Sequence, residues 1–129
     1  MQCLRVQHVS LPRPAGSEQE TRAFYGGVLG LEEAQPPKSI QGLDLIWFRL
    51  GNQELHLFRE DPVEDPSRRH LCLEVADVGA VRERLVEAGY PVEETIPIPN
   101  RPRFFCRDPF GNLLEFTTIL GDYEAAENG

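Results

Sequence analysis

The sequence predicts an α+β fold built from a duplicated β-α-β-β-β unit, and three observations carry that expectation. Two similar runs, Gln7-His8-Val9-Ser10-Leu11 and Arg69-His70-Leu71-Cys72-Leu73, each precede a helical stretch. Two Gly-Asn turns, Gly51-Asn52 and Gly111-Asn112, recur at nearly the separation of His8 from His70. Strand-like runs flank both turns. Landmarks that recur at a constant offset mark an internal repeat.

Taken in order, the first unit opens on the strand at 7–11 and continues into a helix at 17–28. Ser17 and Glu20 have capping-box spacing, and Thr21, Phe24, Tyr25 and Val28 make an apolar stripe at helical period. Strands follow at Leu43–Leu50 and Glu54–Phe58. The Pro-rich stretch Asp61–Ser67 reads as a linker. The second unit opens at 69–73, where Leu71, Leu73 and Val75 alternate with His70, Cys72 and Glu74. Its helix is expected over 78–88, with Asp77 as N-cap, Val78, Val81, Leu85 and Ala88 on one face, and Gly89 as C-cap. Strands are expected at 103–107 and 113–119, reversed by Asp108-Pro109-Phe110-Gly111-Asn112. Module one then spans about residues 4–60, module two about 68–119, and an acidic tail 120–129, with Asp122–Glu127 read as a solvated end.

Composition narrows the function. At 129 residues the chain has the size of one ordinary domain, and its 40% hydrophobic and 26% charged content suits a folded core. Apolar stretches are a few residues long, too short to span a bilayer, and the start has no apolar run of signal-peptide length, so a cytoplasmic address is expected. A formal net charge of −8 disfavours nucleic acid and anionic membranes as partners. Cys3, Cys72 and Cys106 are odd in number and lack a CxxC pair, which suggests neither a disulfide framework nor a thiolate zinc site.

The placement of the histidines is the most informative feature. Val9 and Leu11, Leu55 and Leu57, Leu71 and Leu73, and Leu114 and Phe116 define apolar strand faces suited to packing under the helices. His8, His56, His70 and Glu115 all take the opposite parity, and the chain has three histidines in total. If the two units pair so that their sheets curve around one cavity, four polar groups converge there. Imidazole and carboxylate together suit a first-row divalent metal, and two His with one carboxylate form a facial set with open positions. Taken singly, each of these residues reads as a hydrogen-bonded or solvated strand residue. Glu54 and Glu74 share the same face, so parity alone does not define ligands. Cys72 also lies on it, as a candidate thiolate or as inert filling. Arg101 and Arg103 are candidates to guide an anionic substrate or to form a salt-paired loop. Trp47 and Phe48 point to opposite faces, so one of them can line the pocket.

These same residues carry a resemblance. His8-Val9-Ser10-Leu11, Phe24-Tyr25 with Leu29-Gly30-Leu31, Glu54-Leu55-His56-Leu57-Phe58, Arg69-His70-Leu71 and Asp108-Pro109-Phe110-Gly111-Asn112-Leu113-Leu114-Glu115 resemble the vicinal oxygen chelate superfamily of glyoxalases, bleomycin-resistance proteins and extradiol dioxygenases. The resemblance implies paired β-α-β-β-β modules forming a cupped mixed sheet around a central cavity that holds a divalent metal (Zn, Ni, Mn or Fe), commonly in a homodimer. It implies His8, His70 and Glu115 as metal ligands, with His56 in the fourth ligand place. In glyoxalase I that place carries a glutamate and in methylmalonyl-CoA epimerase a glutamine, so His56 is a departure from both. Glu115 or an unbound His56 is then the candidate catalytic proton carrier.

The implied function is a metal-dependent lyase or isomerase acting on a small oxygenated metabolite or its thiol adduct. An iron-dependent ring-cleaving dioxygenase is the alternative within enzymes. A non-catalytic small-molecule-binding protein of the resistance type is the alternative outside them. The Pro-rich stretches Gln35–Gly42 and Glu93–Arg103, which would shape the pocket, carry no substrate motif.

Overall fold

A computed structural model describes residues 1–61, 63 and 67–122. The chain divides into two units, Met1–Glu64 and Asp65–Gly129. The expected tail Asp122–Glu127 lies, beyond Asp122, outside the described residues, as does part of the expected linker Asp61–Ser67. No helix among the described residues is long and apolar enough to cross a membrane.

In the first unit, β1 (His8–Arg13) leads into α1 (Glu18–Thr21) and a π-helical segment, Arg22–Val28. Then come β2 (Glu33–Ala34), a 3-10 turn (Lys38–Leu43), β3 (Ile46–Leu50) and β4 (Gln53–Arg59). The sheet order is β1-β4-β3-β2, with β1 parallel to β4 and the other pairs antiparallel. The second unit repeats the plan with β5 (His70–Glu74), α2 (Val78–Glu87), β6 (Val92–Glu93), β7 (Arg103–Arg107) and β8 (Leu113–Thr117), in the order β5-β8-β7-β6. The expected α+β class with its duplicated strand-helix-strand plan is therefore observed as two four-stranded mixed sheets.

Several boundaries differ from the sequence reading, each for a local reason. The first helix is α-helical for only four residues before its turns widen, with Leu29 N–H reaching Phe24 O at 2.9 Å. Gly26-Gly27 lies in this stretch, where helix propensity is poor, while the neighbouring Phe24 and Tyr25 are both fully buried. The capping box is not formed. Ser17 makes no side-chain cap bond and instead donates to Pro14 O while accepting from Arg13 Nη1 at 3.2 Å. The run expected as a strand from Leu43 starts at Ile46, because Lys38–Leu43 coils as a 3-10 turn closed by left-handed Asp44.

The second helix is better read. Asp77 Oδ1 accepts from Ala80 N–H at 3.1 Å, and Gly89, at φ +90, follows the C-cap Ala88. The reversal before β8 is organised by Asp108, whose Oδ1 accepts from the amides of Phe110 and Asn112 while Gly111 takes φ +95.

Each helix covers one sheet face. Tyr25 lies 5.8 Å from Phe48, between ring centroids, and Arg82 of α2 sits over the Phe104 ring at 5.2 Å. Phe48, Leu55 and Leu57 in the first unit, and Leu73, Phe104, Leu114 and Phe116 in the second, form these covered faces. Strand alternation then sends His8, His56, His70 and Glu115 to the face away from the helix of their own unit.

Candidate functional site

The polar residues stand as one pair in each unit, and the strand register explains both pairs. In the first unit His8 lies opposite Glu54 and Ser10 opposite His56, so His8 and His56 are diagonal neighbours on adjacent parallel strands. In the second unit His70 lies opposite Leu113 and Cys72 opposite Glu115, so His70 and Glu115 stand in the same relation. Among the described residues, no three His, Cys, Asp or Glu side chains are gathered closely enough to hold a metal ion by themselves.

In the second unit, His70 Nε2 is 3.1 Å from Glu115 Oε1. His70 Nδ1 is 2.8 Å from the carbonyl oxygen of Arg68. A carbonyl only accepts, so Nδ1 carries the proton and donates it. In neutral His70 the Nε2 electron pair therefore faces Glu115 Oε1, an arrangement that calls for a cation or a proton between them. Two donors about 2.1 Å from a divalent ion and near right angles to each other stand about 3 Å apart, so the pair fits two positions of a ligand shell. The far oxygen, Glu115 Oε2, accepts from Arg103 Nη1 at 3.0 Å, and Arg103 is anchored in turn on Ile96 O at 2.8 Å. Backbone support for an imidazole and a hydrogen bond to the carboxylate are what outer-shell partners of metal ligands supply. Glu115 is only 8% exposed, and Phe105, its cross-strand partner, meets the His70 ring edge-on at 4.9 Å.

The first unit is arranged differently. His56 is 8% exposed and lies between two rings: Trp47 at 3.8 Å and 2°, and His8 at 4.2 Å and 18°. Trp47 is the cross-strand partner of His56, so antiparallel register produces this stack. His56 Nε2 is 3.0 Å from Glu54 Oε1, and the hydrogen bond donated by His56 is the first cause holding the Glu54 carboxyl below its ordinary range. His8 is exposed, with Nδ1 2.7 Å from Gln7 Oε1. An amide oxygen accepts, so in neutral His8 the electron pair sits on Nε2 and fits a ligand role.

Three participants were not singled out as site residues from sequence. Glu54 was visible as a carboxylate two residues before His56 on the same strand face. Gln7 adjoins His8. Arg103, read as a substrate guide or loop residue, sits at the start of β7 and binds Glu115 instead. Of Trp47 and Phe48, it is Trp47 that reaches the polar face.

Cys72 faces Glu115 across the ladder. Partial desolvation, then the charge of Glu115 and a hydrogen bond to it, push its thiol up to about 11. Burial, and then Asp108, push Cys106 up to about 11 as well. A raised value keeps both as thiols at neutral pH, so neither is an activated nucleophile. At pH 8, iodoacetamide is expected to label Cys3 faster than Cys72, which is exposed like Cys3 but kept as the thiol, and faster than buried Cys106, with the rates of the last two climbing as pH approaches 11. Mass-spectrometric site mapping checks this, and Cys72 labelling as fast as Cys3 at pH 8 would contradict it.

Comparison with known proteins fixes the family. The family model described as Glyoxalase/Bleomycin resistance protein/Dioxygenase superfamily matches residues 5–116. The chain belongs to this superfamily. Among solved structures of similar fold, a protein from Bacillus anthracis assigned to the glyoxalase family is 33% identical, with 92% of this chain and 98% of that one covered and a TM-score of 0.86. A lactoylglutathione lyase from Agrobacterium tumefaciens is 25% identical, covering 88% and 92%, with a TM-score of 0.68. A glyoxalase/dioxygenase from Nostoc punctiforme, at 21% identity, covers 89% and 90% with a TM-score of 0.75 and speaks to the shared fold of the superfamily. A search of curated proteins found no match.

Proposed function

We propose that this superfamily member is a divalent-metal-dependent lyase or isomerase of the glyoxalase type, with His8, His70 and Glu115 as its metal ligands. The substrate is a small oxygenated metabolite or its thiol adduct, and the working form is a homodimer. The observation that carries the reading is the facing pair His70 Nε2 and Glu115 Oε1, each held from behind by Arg68 O and Arg103. The likeness to a lactoylglutathione lyase supports the reaction class. Imidazole and carboxylate donors suit Zn, Ni, Mn or Fe.

A divalent ion supplies Lewis acidity toward two adjacent substrate oxygens. Everything else falls to the chain. Arg103 holds Glu115 through Oε2, so Oε1 is the oxygen that would ligate the ion, and it would take up or return a proton at the substrate carbon only once it has left the ion. Arg68 O sets the tautomer of His70, and Gln7 that of His8.

A second reading has its own support. With His56 committed to Glu54, the remaining set is two His and one carboxylate, the facial pattern of iron(II) oxygenases. Elemental analysis of the purified protein, with turnover of thiol hemiacetals of 2-oxoaldehydes and oxygen uptake on catechols, separates the two. Zinc, nickel or manganese with isomerisation supports the first. Iron with oxygen uptake supports the second. A protein that neither carries nor takes up any of these metals overturns both.

A further inference from the structure

We infer that His56 is a positioning residue rather than a metal ligand: the ring is the middle plate of the Trp47–His56–His8 stack and holds His8 in a ligating orientation. The inference rests on the proposed reading of His8 as a ligand. A metal ion lies in the plane of the imidazole that binds it, along the nitrogen electron pair. The planes of His8 and His56 are within 18° of parallel, with ring centroids 4.2 Å apart, so one ion cannot lie in both planes as they stand. The Nε2 of His56 is also taken, since the Glu54 carboxylate at 3.0 Å accepts its proton.

Of the two rings, His8 is the exposed one, and its Nδ1 proton is used by Gln7, leaving Nε2 free to ligate. His56 is fixed on three sides. Trp47 covers one face at 2° from parallel, His8 covers the other, and Glu54 holds an edge. A ring so restrained gives His8 a flat surface that removes most of its freedom to turn. Holding a ligand in place before the ion arrives is what an outer-shell partner contributes to affinity.

The required property of His56 is therefore a planar ring, not a nitrogen donor. Competition with a chromophoric chelator reads Zn²⁺ affinity directly in wild type, His56→Phe, His56→Ala and His8→Ala, with circular dichroism confirming that each is folded. The expected result is that His56→Phe stays within about threefold of wild type while His56→Ala weakens binding about tenfold or more. Emission from Trp47, the chain's single tryptophan, is expected to shift in His56→Ala and to stay near wild type in His56→Phe. An affinity loss in His56→Phe as large as in His8→Ala overturns the inference and leaves the metal-dependent reading standing, with His56 as a ligand. Should His56→Ala fail to fold, the comparison of His56→Phe with His8→Ala still decides. A wild-type protein that binds no Zn²⁺ overturns both the reading and this inference.

Discussion

Glu115→Gln is expected to lower divalent-metal affinity by at least about 100-fold, equivalent to about 2.7 kcal/mol of binding free energy. The substitution is chosen for what it preserves. The amide oxygen of glutamine still accepts from Arg103, so the half-buried guanidinium keeps a partner and the β7–β8 ladder is undisturbed. What disappears is the negative oxygen facing His70 Nε2. Alanine at the same place would leave Arg103 without that acceptor, mixing a folding cost with the loss of a ligand. His70→Ala should weaken binding to a similar degree, because it removes the other half of the pair. Isothermal titration with Zn²⁺ measures both. Wild-type affinity in either variant, in a protein that unfolds at the wild-type temperature, would remove the pair from the ligand set.

Asp44→Ala is expected to destabilise the fold by about 3 kcal/mol and to lower the melting temperature by about 10 °C. Arg13 is fully buried, an unusual place for a guanidinium, and its closest charged partner is Asp44 Oδ1 at 2.6 Å. Without that carboxylate the buried charge keeps Asp44 O at 2.9 Å, Ser17 Oγ at 3.2 Å and Glu18 at 3.4 Å. These contacts soften the loss but do not neutralise it as directly. A second contribution comes from the backbone, since Asp44 takes φ +58, where alanine is strained by about 1 kcal/mol. Asp44→Gly relieves that strain while still removing the carboxylate, so it should recover part of the loss. Thermal unfolding followed by circular dichroism tests the pair of variants. A shift of less than about 2 °C in Asp44→Ala would mean that the ion pair contributes little.

Residues whose environment is set by near neighbours were legible in the sequence. Asp77 caps α2 as its position suggests, and the Asp108–Asn112 reversal follows from its turn chemistry. The parity of His8, His56, His70 and Glu115 was legible because alternation is a property of the strand itself. Features fixed by distant partners were not. β2 and β6 are two residues each, too short to show any period. The Ser17 cap is replaced by contacts to Pro14 O and Arg13 Nη1, three and four residues back, and the Arg13 guanidinium is held there by Asp44, 31 residues on. Nothing local signals that Arg13 and Asp44 meet, 31 residues apart. The Trp47–His56 pair lies across the two-residue Gly51-Asn52 hairpin, whose register sets the two opposite each other. The donor roles of His8, His56 and His70 depend on Gln7, Glu54 and the Arg68 carbonyl, all within two residues in sequence, but which atoms meet is set by how the folded side chains and backbone are oriented.

The equal diagonal offset of the two polar pairs limits how this chain can change length. Inserting one residue within β4 or β8 would turn every side chain beyond it to the opposite side, putting an imidazole or carboxylate among the aromatics and a leucine in its place. Two inserted residues would restore the facing but move the diagonal by a full pleat. Insertions and deletions should therefore gather in the connections, such as Gln35–Gly42 and Glu94–Asn100, where the chain can grow a new pocket wall without displacing the groups on which its chemistry would depend.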